Sequence, residues 1–207
     1  MSGERPENEF FFIGNHLCLD FINTDIVQSG KSVDLLNGFG DLMSWLVQAR
    51  VLDAARANDR IGAWCGTREA DRTFARARDF RGIVRHMAER IVATKPVPQA
   101  AIAQINDLLH NQVGHGELVR VRGGFEKRFQ LDFKEPIHLL APVAESACDL
   151  LAHGDLSLIR KCENPTCVLF FYDTTKNHSR RWCSMSACGN RRKVAAHYRR
   201  LRTPDAT

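Results

Sequence analysis

The chain lacks several things that would have decided its class at once. No run of 18 apolar residues occurs in its 207 residues, so a membrane-spanning helix is not expected. The opening stretch, Met1–Glu9, is polar and acidic. It does not show the basic-then-apolar order of a secretory leader, and a cytoplasmic protein is expected. No HExxH, GxSxG, phosphate-loop or dinucleotide fingerprint is present. His16, His86, His110, His115, His138 and His153 are scattered, and no Ser–His–acid set can be located from spacing. The expectation is a protein that is not an enzyme. There are no internal repeats, low-complexity tracts or long linkers.

What is present is a lopsided charge. The net charge is +5. Residues 159–202 hold eleven Lys/Arg and two acidic residues, Glu163 and Asp173, which is +9. Residues 1–158 hold 18 basic and 21 acidic residues, which is −3. All of the positive excess therefore lies near the C-terminal end. The seven cysteines are just as uneven. Four crowd into the last quarter, which fits a metal site in a reducing compartment better than a disulfide framework.

Hydrophobic periodicity organises the rest. Leu17–Thr24 is apolar but reads as either a strand or a short helix, interrupted by Asp20 and Asn23. A helix is expected over Leu35–Arg50, with Leu42, Trp45 and Leu46 on one face. Arg50–Thr67 reads as a stretch containing a turn before Gly62. The strongest helix spans Arg68–Thr94, where Ala77, Phe80, Val84, Met87 and Ile91 form one stripe. Another follows at Gln99–Asn111, closed by Gly114 and Gly116. Leu118–Arg122 and Phe125–Phe133 alternate around Gly123-Gly124, as a hairpin does. A last helix begins at Pro136 and stops at Gly154. These readings predict a mainly α protein. Residues 1–157 form a helical domain with a small β-hairpin, 158–202 form a zinc module, and 203–207 are a tail.

The module rests on Cys162, Cys167, Cys183 and Cys188. Each pair is separated by four residues, and fifteen separate the pairs. Two close pairs divided by a hairpin-sized insert suit a tetrahedral Zn²⁺ site. Four buried thiols with no ion are the alternative, and they leave the symmetry unexplained. Four thiolates close the coordination sphere, so one structural Zn²⁺ is expected rather than a catalytic ion. The order is knuckle, hairpin, then a helix bearing the last ligand: a treble-clef-like Cys₄ finger. Val194, Tyr198 and Leu201 form that helix's apolar stripe, and Ser184 or Ser186 can cap it. Arg191, Arg192, Lys193, Arg199, Arg200 and Arg202 cover much of its remaining surface, with Arg180 and Arg181 on the loop before it. Such a cluster suits phosphates and base edges, and DNA is the expected partner. A solvated face, or an anchor onto the acidic first domain, is the competing reading. A protein-interaction cap without DNA contact also stays open. One finger contacts few base pairs, and a homodimer would answer that need.

The tetrapeptide Cys188-Gly189-Asn190-Arg191 resembles the CGNR zinc finger family, and the likeness spans about Leu158–Arg202. Upstream, Leu19-Asp20-Phe21-Ile22-Asn23-Thr24 is similar to the helical ABATE-type domain that accompanies this finger in bacteria, described as a stress-induced transcription regulator. The resemblance implies that Cys162, Cys167, Cys183 and Cys188 are the zinc ligands and that the protein binds DNA in a stress response. Asn190 and Arg191 would be the motif's polar residues, either structural or in contact with DNA. Asp20, Asn23, Thr24 and Asp25 are the most polar cluster inside an apolar segment. They are candidates for a small-molecule effector pocket, with capping and turn chemistry as the plainer account.

Overall fold

The computed structural model describes residues 10–190. The longest element is α4, Arg68–Val92. Thr67 starts it, its side chain accepting from the Ala70 N–H at 3.2 Å, with Glu69 and Asp71 in the first turn and Arg90 in the last. Its buried stripe includes Ala77, Phe80, Val84, Met87 and Ile91, as the periodicity requires. Fully burying a side chain such as Phe80 or Met87 contributes about 1.5–3 kcal/mol each.

The short helix α1, Leu17–Ile22, lies at the centre of the body. Cys18, Leu19, Phe21 and Ile22 are completely buried, and α1 packs against α4, against α6 (Ala141–His153) and against the last strand. The ambiguous apolar segment is thus a helix, ended at Asn23. Around this centre pack α2 (Phe39–Gln48), α3 (Ala54–Trp64) and α5 (Gln99–His110).

Three separate antiparallel hairpins complete the described residues. β1 (Asp25–Gln28) pairs with β2 (Lys31–Asp34). β3 (Gly114–Val121) pairs with β4 (Gly124–Leu131). β5 (Ile159–Lys161) pairs with β6 (Phe170–Tyr172).

The structure refines the sequence reading at several points. β1–β2 has no counterpart in it. Its turn is Ser29-Gly30, with both φ angles positive (52° and 80°), the geometry that matches strand twist in a two-residue loop. The helix expected from Leu35 begins only at Phe39, because Asp34 turns the chain first, its carboxylate accepting from the Leu36 N–H at 2.9 Å. The turn expected in Arg50–Thr67 before Gly62 lies at Arg50, whose φ is +60°; α3 then runs through Gly62, and the chain turns again at Gly66, whose φ is +81°. Gly114 and Gly116 open β3 rather than close α5. The helix expected from Pro136 begins as a 3₁₀ turn, Pro136–Leu140, and becomes α6 at Ala141. Pro142 has no N–H to give and suits that first turn.

The buried residues fall into two groups that interleave. The large group fills the helical body but includes Ile159 and Phe170 from β5 and β6. The small group surrounds the cysteines, with Leu169 and Phe171, but includes Ile26 from β1, with Ile13 and Val33 against it. The boundary at 157/158 in the sequence is therefore bridged in space from both sides. Among the described residues, no helix is long and apolar enough to cross a membrane.

Candidate metal centre

Cys162 ends β5, and its N–H donates to the Leu169 carbonyl at 2.9 Å. The chain then turns tightly. Cys167 N–H reaches back to the Asn164 carbonyl at 2.8 Å, and the Asn164 side-chain oxygen accepts from Thr166. This turn, over Asn164-Pro165-Thr166, is the first knuckle of the module. The second pair is carried by Cys183 and by the π-helical turn Met185–Gly189, in which Cys188 and Gly189 both donate to the Ser184 carbonyl. Glu163 N–H bonds the Arg181 carbonyl at 3.0 Å and ties the two halves together.

The four Sγ atoms all lie within 4.8 Å of one another, and among the described residues no imidazole or carboxylate joins them. Cys162, Cys183 and Cys188 are buried, and Cys167 is half-buried. A tetrahedral ion with metal–sulfur bonds of about 2.3 Å needs sulfur–sulfur edges of about 3.8 Å. Cys167 and Cys183 stand 3.7 Å apart. The Asn164 amide donates to Cys188 Sγ at 3.2 Å, and the Cys183 N–H to Cys162 Sγ at 3.4 Å. Such N–H donors favour thiolates. As thiols alone, three of the groups conflict. Bonds from the Cys167 and Cys183 thiols push Cys162 down, and those same bonds to Cys162 hold Cys167 and Cys183 up. A divalent cation relieves the conflict, since all four can then ionise around it. The donor set and its spacing fit Zn²⁺.

Beside the cluster runs a polar seam between α1, α4 and the module. Asn23 is fully buried. Its amide nitrogen donates to the Phe170 carbonyl at 2.8 Å, and its amide oxygen accepts from the Phe170 N–H at 2.9 Å. One side chain thus supplies both hydrogen bonds that a neighbouring strand would give Phe170. Arg85 of α4 donates to the carbonyls of Ile22, Asp25 (2.8 Å) and Val168 (3.1 Å). Arg81, buried in spite of its charge, donates to Thr24 Oγ1 at 2.8 Å and clamps Asp34 with both terminal nitrogens.

The family model described as a putative stress-induced transcription regulator, ABATE, matches residues 15–154, more than half of the chain. The chain belongs to the ABATE family. A second model, the CGNR zinc finger, matches residues 159–201, so an ABATE domain is followed by a CGNR finger. A comparison with curated proteins finds no match.

In this ABATE chain the four residues expected to line an effector pocket are drawn into the body and its seam. Asp20 accepts from the Gly14 N–H at 2.7 Å. Gly14 is required there, because a Cβ would lie 2.8 Å from that of Leu19. Thr24 bridges the Phe21 carbonyl and Arg81. Asp25 accepts from Ser32 at 3.3 Å and faces Arg85 at 3.9 Å. A cavity of about 670 Å³ lies elsewhere, against α3 and the β3–β4 hairpin, lined among others by Asp59, Arg60, His115 and Asp132.

Of the basic residues expected to meet DNA, Arg180 points inward. It bonds the carbonyls of Ile13, Trp182 and Cys183 and lies over the Phe171 ring at 4.1 Å. Its backbone N–H is held by the fully buried Asp173. Arg181 is exposed and paired with Glu163 at 2.6 Å. Asn190 is exposed at the end of the described chain. Arg191, Arg192, Lys193, Arg199, Arg200 and Arg202 lie outside the described residues. Asn23, Arg81, Arg85 and Asn164 emerge only in three dimensions, since their partners are distant in sequence or are backbone atoms without a sequence signature.

Proposed function

We propose that this chain is a DNA-binding transcription regulator in which one structural Zn²⁺, held by Cys162, Cys167, Cys183 and Cys188, anchors the basic segment 191–202 for contact with phosphates and base edges. The observation that carries the reading is the four-cysteine cluster, whose last member stands three residues before the first of six Lys/Arg in that segment. Anchoring one end of a cationic segment on a rigid site lowers the ordering entropy that binding must overcome. Four sulfur ligands leave no open position, so the ion's work is to hold the fold. In this reading the finger is a treble clef, the protein acts in the cytoplasm during stress, and two copies pair to lengthen the DNA site.

A salt-dependent gel shift on genomic fragments tests the reading. Wild-type binding should fall steeply with salt, and changing Arg192, Lys193 and Arg199 to Ala should weaken it strongly. Binding unchanged by those substitutions, or absent even at low salt, would sink the DNA assignment. A second reading, small-ligand sensing, is favoured by the 670 Å³ cavity with its mixed charges. It adds an effector to the regulator and does not compete with the first.

A further inference from the structure

The β3–β4 hairpin stands apart from the other two. Each strand has eight residues, which makes a ribbon about 27 Å long. Its loop is Arg122-Gly123, with Gly123 at φ +98°. Directly opposed residues of an antiparallel pair share a face, and the register sorts the ribbon sharply. One face carries Leu118 opposite Lys127, Arg120 opposite Phe125, and Gly116 opposite Phe129. The other carries Glu117 opposite Arg128 and Val119 opposite Glu126.

Both acidic residues of the ribbon therefore lie on the second face, where Glu126 pairs with Arg128 at 2.8 Å. The first face has no acid. It has Arg120 and Lys127, with Arg122 at the tip, all exposed. Among the described residues none of these three is in an ion pair. Between them stand three of the most exposed large apolar side chains of the molecule, Leu118 (70%), Phe125 (62%) and Phe129 (54%). The Arg120 guanidinium is 4.9 Å from the Phe125 ring centre. A two-stranded ribbon with one side left wet and apolar is marginal by itself, so this face fits a partner. A second copy placed face to face would set cations against cations. A polyanion complements the face, and a two-stranded ribbon fits the DNA major groove, where Arg and Lys meet guanine edges or phosphates and Phe meets thymine methyls.

We propose that the Leu118–Phe129 face of the β3–β4 ribbon is a second DNA-binding surface, independent of the basic segment beyond Cys188. The inference rests on the DNA reading above and adds a surface from the ABATE domain itself.

The test uses the full-length, metal-loaded chain and a random-sequence duplex of about 30 base pairs, three helical turns. Three proteins are compared with wild type. The ribbon variant carries Arg120→Gln, Arg122→Gln and Lys127→Gln. The finger variant carries Arg192→Ala, Lys193→Ala and Arg199→Ala. The control carries Glu126→Gln with Arg128→Gln, a charge-neutral change on the opposite face. The ribbon variant should bind about tenfold or more weakly, with the slope of log affinity against log salt shallower by about 2–3. The control should match wild type. A ribbon variant that binds like wild type, while the finger variant does not, overturns this proposal and leaves the DNA reading standing. A wild-type protein that binds no duplex overturns both. A control as weak as the ribbon variant overturns the assignment of the face. Two further results overturn the proposal: a lower oligomer mass for the ribbon variant, or loss of binding to phosphatidylserine vesicles with DNA affinity intact. Metal content and far-UV circular dichroism check that each variant is folded.

Discussion

The helical body and the cysteine module each bury large aromatic rings, yet they hold them by different means. In the body, Trp45, Phe21 and Phe80 are fully buried among many apolar neighbours on six helices. Each position is one of many, and the loss is shared. In the module, Phe171 is just as buried, but its buried neighbours are few: Ile26, Leu169 and three cysteines. Its position depends on the four-cysteine cluster and on the Arg180 guanidinium stacked over it, which is itself held by the Ile13 carbonyl far back along the chain. Redundant apolar burial makes one part tolerant. A short set of directional contacts makes the other part exacting.

The sharpest way to break this comparison is Cys188→Ser. Removing one thiolate should drop bound zinc far below one ion per chain, measured by metal analysis, since binding and folding of such modules are coupled. Far-UV circular dichroism should retain most of the signal of α4 and α5. A parallel loss of helix would show that the body does not stand without the module. Next in size is Phe80→Ala in the body. It should cost about 3–5 kcal/mol in urea unfolding while the purified protein keeps its zinc.

Asn23→Ala strikes the seam. It leaves the buried N–H and carbonyl of Phe170 without partners, for a loss of about 2–4 kcal/mol, and it should lower metal retention and helix stability together. A purely local effect on either part would contradict the bridging role.

Asp20 gives a subtler, pH-dependent effect. Burial pushes its carboxyl up to about 6, against hydrogen bonds from Gly14 and Ile13, whereas the unfolded group titrates near ~3.9. Between those values the folded chain holds more protons, so stability falls as pH rises from about 4 to about 6 and then levels. Asp20→Asn keeps an acceptor for the Gly14 N–H and removes the titration. The difference in urea midpoint between variant and wild type should grow across that window and be constant above it. Least of all, Arg181→Gln removes an exposed pair with Glu163 and should leave the melting temperature unchanged.

The same contrast explains what was legible in the sequence. The stripe on α4 was readable because burial on a helix repeats every three to four residues and leaves a period. The four cysteines were readable because ligands come in close pairs. Asn23 was not, because its partners are backbone atoms of Phe170, 147 positions away, and backbone atoms leave no trace in composition. Arg85 and Arg180 look like surface charge for the same reason. β1–β2 was missed because its four-residue strands are too short to show alternation, although Ser29-Gly30 held the turn signal. The long β3–β4 ribbon was readable as a hairpin, but its separation into a cationic and a mixed face required the register.

The double bond of Asn23 to Phe170 has a practical outcome. Cutting the chain at the boundary suggested by sequence would deprive β6 of the side chain that stands in for its missing neighbour strand. A fragment beginning at residue 158 would also lack Ile13 and Ile26, and would carry its cysteines on an unfinished foundation. The body alone would expose a polar amide shaped to receive a strand. The two parts thus meet at one amide, which joins the strand beside the cysteines to the end of the helix at the centre of the protein.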